Sequence, residues 1–246
     1  MAIRDAGSQR LYVDGRFVPG QPITLSDDQS HYLVNVMRAK GGDQIAVFNG
    51  HDGEWLARIT ALGKRGVSVT LEQLSRPQAE GPDVDYVFAP LKHARLDYMV
   101  QKAAELGVRR LRPVLTRRTI ADRVNVARMR ANVIEAAEQC GVLWVAEVLD
   151  PVPLAKLVEQ WDGGRRLIFC DEAAAVHDPV SSLKKLERGP LALLIGPEGG
   201  FDEVERQLLK SKSFVVPMSL GPRIMRADTA AIAALALLNA TLGDWV

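Results

Sequence analysis

Residues 194–230 read LIGPEGGFDEVERQLLKSKSFVVPMSLGPRIMRADTA, and they hold one pattern twice. An apolar run, Leu191–Ile195, breaks into the loop Gly196-Pro197-Glu198-Gly199-Gly200, and a helix-like stretch follows. A second run, Phe214–Met218, breaks into Ser219-Leu220-Gly221-Pro222-Arg223, and another helix-like stretch follows. Short apolar runs bounded by Gly and Pro read as buried strands. Ligands in open α/β sheets sit beyond the carboxyl ends of such strands. The two loops are therefore expected to share one pocket. Glycine lets main chain come close to a ligand, so the walls of that pocket are expected to be backbone.

The same rhythm extends back to Val84. The predicted strands are Val84–Ala89, Leu111–Leu115, Leu143–Leu149, Arg166–Cys170, Leu191–Ile195 and Phe214–Met218. Helices are predicted over Ala94–Leu106, stopped by Gly107, and Val126–Gln139, stopped by Gly141. Shorter ones fall near 151–160, 179–187 and 202–211, and a longer one spans about 225–241. Alternating strand and helix implies a mainly parallel sheet covered on both faces.

Residues 1–74 read differently. Short apolar segments (Leu11–Val13, Arg16–Val18, Gln44–Phe48, Trp55–Ile59, Val67–Leu71) are separated by Asp14-Gly15, Pro19-Gly20, Asn49-Gly50 and Asp52-Gly53. Asn-Gly and Asp-Gly between alternating runs are strong hairpin signals. One helix is expected, from a cap at Ser26 to about Val36. The segment is predicted to be a small β-barrel with one helix. Residues 75–83, SRPQAEGPD, are polar and contain two prolines, and read as a linker to a domain over 84–246.

Composition bounds the function. With 246 residues, 47% apolar and 25% charged, the chain reads as an ordinary soluble globular protein. No apolar run is long enough to span a bilayer, and MAIRDAGSQR lacks the apolar core of a secretory signal. A cytoplasmic protein with Cys140 and Cys170 reduced is expected, with no membrane partner. No metal is expected, because His31 and His51 have no second ligand at metal spacing. Net charge is +1, but Arg109, Arg110, Arg112, Arg117, Arg118, Arg123, Arg128 and Arg130 stand against one acid, Asp122. Clustered arginine suits bidentate phosphate contact. A solvated face with scattered ion pairs is the plainer alternative.

GPEGGF is neither a P-loop, since no Gly-Lys-Ser/Thr follows, nor a dinucleotide fingerprint. A glycine loop opening a helix makes an anion or polar-ligand site, or else a tight turn with no ligand. Arg223 and Arg226 stand at the mouth of the second loop, which favours a site over plain surface charge.

The chain carries further motifs in order: HYLVNVMRAKGGDQIAVFNG, Lys92 and Asp97, QKAAELGVRRLRPVLTRRT, EAAEQCG, GPEGGF and LGPRIMRADTA. Together these closely resemble the RsmE family of small-subunit ribosomal RNA methyltransferases, within the SPOUT superfamily. The resemblance covers nearly the whole chain. Val142 and Ala146 stand where the family usually has Arg and Pro, and Asp228 stands where it more often has Glu.

The resemblance implies a fold: a SPOUT-type α/β parallel sheet with a C-terminal deep trefoil knot, behind an N-terminal PUA-like β-barrel. It implies S-adenosylmethionine as cofactor, held by Leu194, Ile195, Gly196, Pro197, Gly199, Gly200, Met218, Ser219, Leu220, Gly221, Ile224, Met225 and Thr229. The implied activity is methylation of N3 of a uridine in the decoding region of 16S rRNA, on the 30S subunit. Arg226 is the first candidate to stabilise the uracil anion and Arg223 the second, with Glu198 and Asp228 as candidate bases. Arg38, Lys92, Arg109, Arg110, Arg112, Arg117, Arg118 and Arg123 are the expected RNA contacts. A homodimer is implied, with helix 225–241 near the partner. Ribose 2′-O methylation, or a non-catalytic RNA-binding assembly factor, are the rival readings.

Overall fold

Turn residues at short intervals cut the first eighty residues into strands, and the last part of one later helix joins them. The computed structural model describes residues 9–63, 66–121, 123–174 and 178–246, and these form two compact units. The first comprises the described residues up to Glu80 together with Ala137–Val145. Its strands are β1 (Arg10–Tyr12), β2 (Pro22–Thr24), β3 (Gln44–Phe48), β4 (Glu54–Gly63) and β5 (Gly66–Arg76), in the order β1-β3-β4-β5-β2. β1 pairs with β3 in parallel, and the other pairs are antiparallel. Ile45 and Val47, Ala57 and Ile59, and Val67, Val69 and Leu71 bury one face at the two-residue period of a strand.

Helix α1 (Asp27–His31) begins where the sequence predicts. The Gln29 N–H donates to the Ser26 hydroxyl, and the Ser26 N–H donates to the Gln29 side chain. This reciprocal capping satisfies two otherwise orphaned donors. The predicted helix to Val36 is only partly α-helical, because Tyr32–Val36 is a π-helical turn. The predicted strand Arg16–Val18 is not one. Phe17 is instead pinned singly, its side chain buried and its N–H donating to Asp52 Oδ2 at 2.9 Å. A small second cluster packs Phe48 with Ala137 and Leu143. Beside it, the buried Arg10 guanidinium lies 3.6 Å over the Phe48 ring, pairs with Glu54, and donates to the carbonyls of Ala137 and Val142.

The second unit comprises Gly81–Ala136 and Ala146–Val246. Its strands are β6 (Val84–Phe88), β7 (Arg110–Leu115), β8 (Glu147–Val148), β9 (Val152–Pro153), β10 (Arg166–Cys170), β11 (Leu191–Ile195) and β12 (Val215–Met218). They form one sheet in the order β12-β10-β11-β6-β7-β8, with β9 also on β7, and every pair is parallel. The predicted strand Leu143–Leu149 shrinks to Glu147–Val148, because residues 143–145 group with the first unit.

The helices are α2 (His93–Glu105), α3 (Val126–Cys140), α4 (Leu154–Glu159), α5 (Pro179–Leu183), α6 (Glu203–Lys210) and α7 (Ala227–Asn239). Both sheet faces are buried, as a parallel sheet requires. Val87, Ala192, Leu194, Leu167 and Phe169 pack with Leu154, Leu157 and Leu209 from α4 and α6. Tyr86 points the other way, and its hydroxyl donates to Met99 Sδ on α2. On that side α7 packs on β11 and on α2. Its alanines at 230, 231 and 234 are buried and small enough to permit the close approach. Among the described residues, no helix is long and apolar enough to cross a membrane.

Candidate active site

Parallel strands put all their carboxyl ends on one edge. β10, β11 and β12 are neighbours in the sheet, so the loops that leave them meet there. They enclose a cavity of about 320 Å³. Its wall comes from Cys170–Glu172 after β10, Ile195–Glu198 with Gly200 and Phe201 after β11, and Met218–Ala227 after β12, with Arg206 of α6 and Ala230 of α7.

The first loop is shaped by packing. Gly196 faces the Phe201 ring, and Gly200 has φ +67°, a left-handed conformation that glycine adopts without strain. The Gly200 N–H donates to the Pro197 carbonyl at 2.8 Å, closing the turn. α6 then starts from a cap on Asp202, whose carboxylate accepts the Glu205 N–H at 2.7 Å. In the second loop Gly221 has φ +105°, and its N–H approaches the Ser219 hydroxyl at 3.3 Å. Main chain is thus exposed to the cavity at three glycines.

Of the thirteen residues expected to hold a cofactor, ten line the cavity. Leu194 is fully buried beneath it in the sheet, while Gly199 and Thr229 lie beside the lining. Arg223, Arg226 and Glu198 all line it. Arg223 and Arg226 are exposed at its mouth.

The sequence reading missed the contribution of β10. Asp171 follows that strand, 3% exposed; it pairs with Arg206 of α6, and Lys210 Nζ stands 2.9 Å from its Oδ2. Asp171 Oδ2 has no hydrogen-bond partner among the described residues, so Lys210 meets it as an ion pair only. Glu172, next along, is more open and also lines the cavity. An acid just past a predicted strand end, beside two already singled out, was the available signal.

The acid at 228 has an assigned place. Asp228 Oδ2 accepts from Arg95 Nε at 2.9 Å, and its Oδ1 accepts the Thr229 N–H at 2.8 Å. The Arg95 bond, followed by the Thr229 N–H, holds its carboxyl below the usual range. Arg95 also donates to Glu198.

The arginine-rich stretch is not gathered into one patch. Arg110 and Arg112 converge on the fully buried Asp85, at 2.6 and 3.0 Å, and Arg165 joins from the start of β10. This cluster lies toward the amino ends of the strands, away from the cavity. Arg109 precedes β7 at that same edge. Arg117 and Arg118 are at the carboxyl edge. Arg117 pairs with Asp202 at 2.9 Å, and Arg118 Nη1 donates to the Gly199 carbonyl at 2.8 Å. Lys92 caps α2 at this edge, and Arg123 is exposed in the segment before α3. Arg128 pairs with Asp97. Arg38, in the first unit, is exposed and takes φ 54°, an uncommon conformation for a residue with a side chain.

Comparison with known proteins bears on this site. A model of the RNA methyltransferase domain matches residues 79–239, and one of the RNA methyltransferase PUA domain matches residues 25–72. A Rickettsia conorii protein named ribosomal RNA small subunit methyltransferase E is 33% identical over 234 residues, covering 92% of this chain and 93% of its own. A Synechocystis protein of the same name is 32% identical, covering 95% of this chain and 78% of its own. Among solved structures, a Neisseria gonorrhoeae protein of that name, bound to S-adenosyl methionine, matches with a TM-score of 0.86 at 28% identity, over 97% of this chain and 100% of that one. A Legionella pneumophila methyltransferase, solved with its bound cofactor SAM, matches with a TM-score of 0.85 at 32% identity, over 96% and 99%.

Proposed function

The chain belongs to the ribosomal RNA small subunit methyltransferase E (RsmE) family, and on that premise we propose that it methylates N3 of a uridine in the decoding region of 16S rRNA, acting on the 30S subunit with S-adenosylmethionine as donor. The observation that carries the reading is the cavity between two glycine loops, with Arg223 and Arg226 at its mouth.

The residues present fit the donor. Ile195, Phe201, Leu220, Ile224 and Met225 offer apolar surface for an adenine ring, and glycine backbone offers N–H and C=O groups for its edge. Asp171, Glu172 and Glu198 supply negative charge against a sulfonium and an ammonium. S-adenosylmethionine, when bound, supplies an activated methyl group.

What remains for the protein is positioning and charge. Holding N3 in line with the methyl can lower the barrier by about 7–11 kcal/mol. As N3 loses its proton the uracil ring gains negative charge, and a guanidinium on a ring oxygen stabilises it. We assign this to Arg226, with Arg223 as second cation. The proton goes to Glu198, one of three carboxylates that line the cavity. Asp228 is not assigned as the base, because both its oxygens are engaged. The uracil must leave its stack to enter the site.

Arg117 and Arg118, with Lys92, Arg38 and Arg123, are proposed to meet rRNA phosphates. Residues 1–74 form the proposed PUA-like RNA-binding domain, 75–83 the linker and 84–246 the methyltransferase domain with its trefoil knot; the two matched domain models support this division. We further propose a cytoplasmic homodimer. The exposure of Ile224 before α7, and of Trp245 and Val246 after it, supports a partner against that helix.

The test is methyl transfer to 30S subunits from a strain lacking the endogenous enzyme, followed by digestion and mass spectrometry. N3-methyluridine in 16S rRNA supports the reading. A 2′-O-methylated nucleoside, or binding of the subunit with no transfer, would replace it with one of its rivals.

A further inference from the structure

Arg95 sits in the first turn of α2, about a hundred residues before the pocket loops in sequence. Its guanidinium nonetheless reaches both of them. Nη1 donates to Glu198, in the loop after β11, and Nε donates to Asp228 Oδ2, in the first turn of α7. Glu198 and Ala227 line the cavity on its two sides. One planar cation therefore bridges the two walls. Resting on the methyltransferase reading above, we propose that Arg95 is a positioning residue that holds the two cofactor loops at the separation S-adenosylmethionine requires.

Three observations set this bridge apart from an ordinary surface ion pair, which contributes little. Asp228 is largely buried, its side chain 18% exposed. Two different nitrogens of one guanidinium are used on two elements, the loop after β11 and the first turn of α7, a geometry that a flexible ammonium does not reproduce. The third nitrogen, Nη2, is buried and meets no hydrogen-bond acceptor among the described residues. A buried charged donor in that state is retained at a cost, which a merely structural pair would avoid. Asp228 is also tied to its own helix through the Thr229 N–H, so a pull on Arg95 is transmitted to the start of α7.

The test is isothermal titration of S-adenosylmethionine into the full chain and its variants, with thermal unfolding alongside. Arg95→Gln removes the charge and the fork, and is expected to weaken S-adenosylmethionine binding about tenfold, the scale of one lost charge-assisted pair. Arg95→Lys keeps the charge but reaches one loop at a time, so it is expected to recover only part of the affinity. In methyl transfer, Arg95→Gln is expected to raise KM for S-adenosylmethionine by the same factor, whereas any change in kcat reports its other partner, the proton acceptor Glu198. The double variant with Asp228→Asn should weaken binding no more than either single change, because both break one bridge.

Wild-type binding with Arg95→Gln equally tight overturns the role and leaves the methyltransferase reading standing. Arg95→Gln and Asp228→Asn acting additively also overturns it. A wild-type chain that binds no S-adenosylmethionine overturns the reading itself, and this role with it.

Discussion

Gly196 stands against the face of Phe201: a methyl group placed on it would lie 2.4 Å from ring atom Cε2. The ring cannot retreat, because it is 5% exposed and packs edge-on to Phe169 at 5.0 Å. The residue that follows β11 is therefore glycine for packing reasons, and the same contact sets where the first loop turns over the cavity.

Gly196→Ala is accordingly expected to displace the loop rather than the ring. Overpacking of this kind costs about 1–3 kcal/mol. Denaturant unfolding should show that loss, and S-adenosylmethionine titration should show a larger one. Stability lost with cofactor affinity unchanged would mean that this loop does not wall the cofactor site.

Arg226→Ala is expected to leave S-adenosylmethionine affinity within about twofold and to lower kcat about 10²–10³-fold, the usual effect of removing one donor to a developing anion. Calorimetry and single-turnover transfer to 30S subunits separate the two. Affinity that falls with kcat would make Arg226 a cofactor ligand.

Arg117 and Arg118 differ in their contacts. Arg117 is 64% exposed and pairs with Asp202, whereas Arg118 holds the Gly199 carbonyl of the cofactor loop. Arg117→Ala is expected to weaken rRNA binding, to lower the slope of log affinity against log salt by about one, and to spare the cofactor. Arg118→Ala should affect both ligands. An unchanged salt slope in both variants would remove the stretch from the RNA interface.

Asp85 is fully buried beneath Arg110, Arg112 and Arg165. Asp85→Ala leaves three cations around an empty centre, and removing one partner of a buried pair costs about 3–5 kcal/mol. Thermal unfolding checks this. A shift within experimental error would show the arginines free to turn outward, and available for RNA after all.

Cys170 borders the cavity, and burial pushes its thiol up to about 12. The folded chain keeps a proton that the unfolded thiol sheds at about pH 8.5. The associated stability is whole below that pH and is lost as pH rises through the folded value. At pH 8 the exposed Cys140 should react with a disulfide reagent faster than the half-buried Cys170, whose raised thiol leaves little thiolate. Equal rates would contradict that shift.

Much of this was readable from residue order, and the misses have physical reasons. β11 was found at both ends because Leu191–Ile195 is wholly apolar and is framed by Pro190 and Gly196. The long hairpin β4–β5 was seen only in its apolar halves, since Thr60, Glu72 and Ser75 fall at the register shifts of the ladder and carry no hydrophobic signal. The two loops declared themselves by Gly and Pro. Asp171 and Arg95 did not, because each is brought to the cavity by sheet order, β10 beside β11 and β6 on the other side, and not by nearness in the chain. The arginine stretch misled in part. Buried Asp85 holds Arg110 and Arg112, and an acid that far upstream is invisible to a local charge count.

A crystal structure of the protein grown with S-adenosylmethionine tests the central claim most directly. The account predicts the cofactor lodged between Gly196–Gly200 and Ser219–Ala227, its methyl facing the opening lined by Arg223 and Arg226. Density for the cofactor anywhere else, with those two loops apart, would contradict it.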